Sequence, residues 1–250
     1  MLVHNSRTGL LLLVSMMTVA ALFFVGPIPQ DLRYHLFADS NRVLGLENFW
    51  NIISNFPFIV VGFIGLTRCS RLSQVESTAG YIVFCVAAAL VGIGSSYYHV
   101  APSNGSLLWD RLPMAIAFMA FLSMLLGERV ITRYKQACLW LLVFIGLSAV
   151  VYWSWSESLG RGDLRPYLLV QFLPVLLIPL IVWLFPSRYM SNSLLLSSFA
   201  LYFAAKLLEH FDTEIMDFTG LTGGHAWKHV VAAVAGLCII YAIPTRRPGG

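Results

Sequence analysis

Between two long apolar runs lies Gly94-Ser-Ser-Tyr-Tyr-His-Val-Ala-Pro-Ser-Asn-Gly-Ser-Leu-Leu-Trp-Asp110. With residues 79–98 helical, Ser95 and His99 share a face, one turn apart. Asp110 then opens the next apolar run. Ionisable side chains within apolar spans are costly, and by default they mark a functional site. A second stretch answers the first: His225-Ala-Trp-Lys-His229 again puts two histidines on one helix face. Three histidines and one aspartate at helix mouths point to a metal site inside a membrane.

Composition agrees about the solvent. Of the 250 residues, 58% are hydrophobic and only 11% are charged, and the mean hydropathy is +0.76. A soluble domain carries roughly 25% charged residues, so the expected fold is an all-α integral membrane protein. The net charge of +4 does not imply a nucleic-acid partner, because the basic residues are spread over short loops. Cys69, Cys85, Cys138 and Cys238 lie in or beside apolar runs without CxxC spacing, and read as small buried side chains.

The apolar runs predict eight helices, near 10–25, 49–66, 79–98, 108–126, 137–153, 167–185, 194–209 and 225–243. The first is short, but no small-x-small cleavage site clearly follows it, so it reads as a retained transmembrane helix. Residues 1–30 would then form an N-terminal helix and turn, and residues 31–250 a seven-helix core with a short C-terminal tail. The polar segment 30–48 reads as an amphipathic or re-entrant piece, and 211–224 as an acidic, glycine-containing loop. Pro113 falls in the first turns of its helix, where a missing amide costs little. Pro174 and Pro179 predict a kink.

The loops on the side of the N-terminus hold more lysine and arginine, among them Arg68, Arg71, Arg129, Arg133, Lys135, Arg188, Arg246 and Arg247, with the acids Glu76 and Glu128. The other side holds Arg33, Arg42, Arg111, Arg161, Arg165 and Lys228. That bias predicts cytoplasmic termini. With eight spans, the end of the third helix and the starts of the fourth and eighth share the outer side. His99, Asp110, His225 and His229 can therefore meet there.

Three imidazole nitrogens with one open position make the usual catalytic zinc arrangement. Zinc would activate a water near neutral pH and polarise a carbonyl. Asp110 would accept a proton or orient a ligand histidine, and Ser95 would donate to a developing oxyanion. Plainer readings stand beside these. Asp110 fits a helix cap, and Ser95 could bond its own backbone. Glu209 and His210 suit equally a place behind the metal ligands, a polar mouth or a salt-linked pair with Lys206. Trp227 and Lys228 are expected to point elsewhere, and His4 and His35 to be interface residues.

The set Gly94-Ser95-x-x-x-His99, Asp110 and His225-x-x-x-His229 resembles the alkaline ceramidase family, in its bacterial branch. Phe49-Trp-Asn-Ile-Ile-Ser-Asn55 resembles the opening of that family's first core helix. The wider superfamily of seven-transmembrane metal-dependent hydrolases includes adiponectin-receptor-like proteins and a group acting on GPI anchors. The likeness covers about residues 31–243, and makes the first helix an addition to the core. It implies His99, His225 and His229 as zinc ligands, Asp110 as the group assisting the zinc-bound water, and Ser95 as the group steadying the oxyanion. It implies membrane lipids as partners, a ceramide-like substrate, no obligate protein partner, and a bacterial inner-membrane location with the active site toward the periplasm. Certain members hold calcium through acids before the first core helix. Asp31, Asp39 and Glu47 do not align cleanly with that cluster, so calcium is not expected here.

Overall fold

Every predicted span is helical, the second as two helices, in the computed structural model, which describes residues 2–72, 78–131 and 133–245, with side chains from Ser6 onward. Glu76, Arg246 and Arg247 lie outside the described residues, as does the His4 side chain. The helices are α1 (Leu2–Ala21), α2 (Phe49–Ile53), α3 (Phe56–Arg68), α4 (Thr78–Val100), α5 (Asn104–Arg129), α6 (Lys135–Ser158), α7 (Arg165–Leu184), α8 (Asn192–His210), α9 (Asp212–Thr219) and α10 (Gly224–Ala242). In hydrocarbon only internally bonded backbone is tolerated, and these apolar runs meet that demand as helices. Seven spans are long and apolar enough to cross a membrane, or eight if α8 and α9 count as one bent span. The protein is thus an all-α, multi-pass membrane protein. Among the described residues the only extended pairings are isolated bridges, Val43 with Leu46 and Leu72 with Thr245.

The bundle is organised on α4 and α5. α4 packs between α3 and α5; α10 joins α3 to α8; α6 and α7 close the other flank against α5. α1 packs on the outside against α7, with most of its apolar length facing outward. The core includes Tyr81, Leu107, Leu125, Trp153, Ile181 and Ile240, all fully buried.

Two backbone approaches set the site. α5 begins earlier than expected, capped by Ser103 through a reciprocal box with Ser106. Pro113 therefore lies well inside the helix and cannot donate to the Trp109 carbonyl. That freed carbonyl faces Gly94, where any Cβ would collide with it. The glycine lets α4 and α5 meet in register, bringing Ser95 beside Asp110. At the other wall, a Cβ on Gly224 would collide with the Leu208 carbonyl of α8.

Three local expectations change. Residues 211–224 contain α9, which leaves α8 at 74°. Residues 30–48 form a mostly irregular strap with one short 3-10 turn, Leu32–His35, rather than an amphipathic helix. The second predicted helix is parted at Ser54–Asn55 into α2 and α3, while α7 holds Pro174 and Pro179 within its length.

Candidate active site

His99 comes from the last turn of α4, and His225 and His229 from the first turns of α10. The parity expected from eight spans holds: one donor atom from each ring lies within 4.8 Å of the other two. Neighbouring ring centroids are 5.0–5.1 Å apart, and the three side chains are buried. Among the described residues no fourth histidine, cysteine, aspartate or glutamate joins the group.

The polar contacts of the rings fit a metal ion. His99 Nδ1 is buried with no hydrogen-bond partner. His229 Nδ1 lies 2.9 Å from the Ser54 hydroxyl, which itself donates to the Asn51 carbonyl at 3.2 Å. Ser54 has one proton, already committed, so its oxygen accepts from Nδ1–H. Nε2 of His229 is left with its lone pair free, the state a metal ligand needs. Neutral nitrogen donors without a thiolate suit zinc and its neighbours. These three residues could therefore hold a metal ion.

Outer residues fix the rings. The Phe37 ring packs edge-on against His99 and His225, with centroids 4.6 and 4.5 Å away. The Asp212 carboxylate accepts from the His225 amide at 2.8 Å and from the Ala38 amide at 3.0 Å. It thus serves the first turn of α10 and ties down the strap in one contact. His35 bonds Tyr98 and Asn104, both at 2.9 Å, as an interface histidine would. Asp31 pairs with Arg33, which holds its carboxyl below the usual range. Asp39 accepts from the Asn41 and Trp50 amides.

His229 lines a cavity of about 540 Å³ together with Ser95 and Asp110, and His99 and His225 stand behind it in the cluster. Ser95 and Asp110 are buried and interact directly. Asp110 is not the helix cap, a role filled by Ser103. Deeper in, the lining is apolar, with Phe58, Phe84, Phe121, Phe172, Val175 and Ile239 among it. The volume is within the roughly 300–1,000 Å³ typical of small-molecule sites. Tyr34 lines the cavity too. Burial pushes its phenol above the ordinary tyrosine value, although the residue as a whole is exposed.

Lys228 does not point away as expected. It lines the cavity and shares the Glu209 carboxylate with Lys206. Its charge reaches all three imidazoles and Asp110. Trp227 is half-exposed and bonds Thr222. Ser54, Phe37, Asp212, Lys228 and Arg111 were not singled out by spacing. Ser54 lay in the polar opening of its helix, a signal that such a residue needs a partner, without naming His229.

The class defined so far is a membrane-embedded helical bundle with three clustered, buried imidazoles that could hold a metal ion, beside a largely apolar cavity. Comparison with known families narrows this. Residues 46–159 match the family model described as ceramidase. The match runs from just before α2 to the end of α6; it includes Ser95, His99 and Asp110 and stops short of α10. Over that stretch the chain is similar to a family of lipid amide hydrolases. No curated protein matches the chain.

Proposed function

We propose that this chain is a zinc-dependent intramembrane hydrolase that cleaves the amide bond of a long-chain lipid, most simply ceramide to sphingoid base and fatty acid. The observation that carries this reading is the convergence of His99, His225 and His229 within 4.8 Å, with His229 lining a largely apolar cavity of about 540 Å³. His99, His225 and His229 would hold the ion. Zinc, when bound, supplies a Lewis acid and an activated water. The cavity receives an acyl chain and holds the amide beside Ser95 and Asp110. Asp110 accepts a proton at its carboxylate as the amide carbon is attacked. Ser95 donates a hydrogen bond to the amide oxygen as charge develops there. Residues 31–250 form the catalytic core in this reading, residues 1–30 are an added helix, and the site opens on the non-cytoplasmic face of a bacterial inner membrane.

The lack of a fourth protein ligand among the described residues favours a hydrolase over a receptor with a closed structural metal. The test is metal analysis of purified protein beside a panel of labelled lipid amides and esters. The double variant His225→Ala with His229→Ala should lose its zinc and its turnover. Unchanged zinc content in that variant overturns the reading. Turnover of esters alone would shift the substrate and keep the site.

A further inference from the structure

The cavity mouth carries more positive charge than it balances. Arg111 on α5 is buried, with its guanidinium over Trp153 at 4.1 Å and Tyr167 at 4.6 Å. One nitrogen donates to Gln30 Oε1 at 2.7 Å, and Nη1 has no hydrogen-bond partner. Among the described residues no carboxylate pairs with it. On the other wall Lys206 of α8 and Lys228 of α10 share the single carboxylate of Glu209. Two further acids line the cavity: Asp31, which is spent on Arg33, and Asp110, which is engaged with Ser95. Arg111, Lys206, Lys228, Glu209 and Asp110 line this one cavity. The Tyr34 hydroxyl lies among them, within electrostatic reach of Glu209, Arg111, Asp110 and Lys206.

Apart from the Asp31–Arg33 pair, three cations face two carboxylates, and a metal ion on the imidazoles would add to the excess. An unbalanced charge in a low-dielectric setting is costly, and the cost falls when a ligand brings the counter-charge. A neutral head group brings none. The ammonium of a released sphingoid base would be repelled. The roles divide by geometry. Arg111, held behind aromatic rings, supplies a fixed positive field. Lys206 and Lys228 supply movable donors that exchange part of their hold on Glu209 for the ligand.

We propose that the lipid bound in this cavity carries an anionic head group, a phosphate or a carboxylate, recognised by Lys206 and Lys228 in the field of Arg111. The binding claim stands on the cavity alone; that such a lipid is cleaved at its amide rests on the hydrolase reading above.

The test separates the two. Binding is read with hexadecyl phosphate, hexadecanoate and hexadecanol on the full-length protein in detergent. Both anions, or one of them, should bind at least tenfold more tightly than the alcohol, in line with a charged hydrogen bond. Lys206→Gln keeps the Glu209–Lys228 pair and should lower that preference roughly tenfold, whereas Glu209→Gln should raise it. Equal affinity for all three probes overturns the proposal. A preference that survives Lys206→Gln at full strength also overturns it, because the anion is then bound elsewhere, on the metal for instance. Turnover is read as the kcat/KM ratio of ceramide 1-phosphate to ceramide and of N-palmitoylglycine to N-palmitoylethanolamine. Tight anion binding with no cleavage of any amide would sink the hydrolase reading and leave the subsite standing.

Discussion

α5 carries two buried acid–arginine neighbours, and they are built in opposite ways. Asp110 and Arg111 lie near its start, Glu128 and Arg129 near its end, about 27 Å apart at 1.5 Å per residue. At the far end the charges answer each other. Arg129 Nε meets Glu128 Oε2 at 2.7 Å, with both side chains fully buried. The other Glu128 oxygen accepts from the Ser187 hydroxyl at 3.0 Å and the Tyr189 amide at 2.9 Å. Arg129 reaches the Phe185 carbonyl at 3.0 Å and the Asn192 side chain. This knot staples the α7–α8 turn to α5 from inside. Near the start, Asp110 and Arg111 do not pair with each other: one turns to Ser95 and the cavity, the other to an aromatic cage. His99 and Arg111 keep nitrogens with no protein partner. Buried polarity that is locally answered holds a fold together; buried polarity left with free capacity is available to a ligand.

That contrast predicts different failures at the two ends. The largest effect on rate should come from Asp110→Asn, which keeps shape and removes the proposed proton acceptor. Turnover should fall by on the order of 10²–10⁴-fold, with zinc content and melting temperature close to wild type. Kinetics, metal analysis and thermal unfolding in detergent check all three. A variant that melts early and keeps its rate would make Asp110 a structural residue like Glu128.

Glu128→Ala should do the reverse. It leaves the Arg129 charge buried and alone, which typically costs about 3–5 kcal/mol. The expected outcome is a clear drop in melting temperature and in folded yield, with turnover per folded, zinc-loaded molecule unchanged. Lost turnover at full stability would mean the knot communicates with the site, and the division between the two ends would fall.

How much of this was legible in the sequence follows from the range of each interaction. The spans were legible because each is one apolar run, and a helix satisfies its backbone locally. The pair His225 and His229 was legible from spacing, and parity brought His99 and Asp110 to the same side. The helix α9 was not, because eight residues with acids in the first turn resemble a loop. Arg111 and Lys228 were counted as interfacial charges, since a lone basic residue near a helix end gives no sign of which way it points. Their partners are Gln30, Trp153, Tyr167 and Glu209, supplied by other elements. Asp212 bonds Ala38 across 174 positions, and no local pattern encodes that.

The smallest predicted effect is the most specific to the answered-versus-available distinction, because Ser54 belongs to both sides of it. Its proton is spent on the Asn51 carbonyl, and its oxygen takes the His229 Nδ1–H. This arrangement favours the tautomer that leaves the lone pair on Nε2, the nitrogen then free to take a metal ion. Ser54→Ala removes a single oxygen from a half-buried position and should barely change stability. It frees the ring to rotate or swap tautomers. Loss of such an outer partner typically weakens metal binding about 10–100-fold. Competition against a zinc chelator measures this directly, without turnover. Ser54→Thr retains the hydroxyl and should recover most of the affinity where its methyl group is accommodated. If Ser54→Ala binds zinc as tightly as wild type, His229 is oriented by packing alone, and the hydroxyl is only another answered polar group.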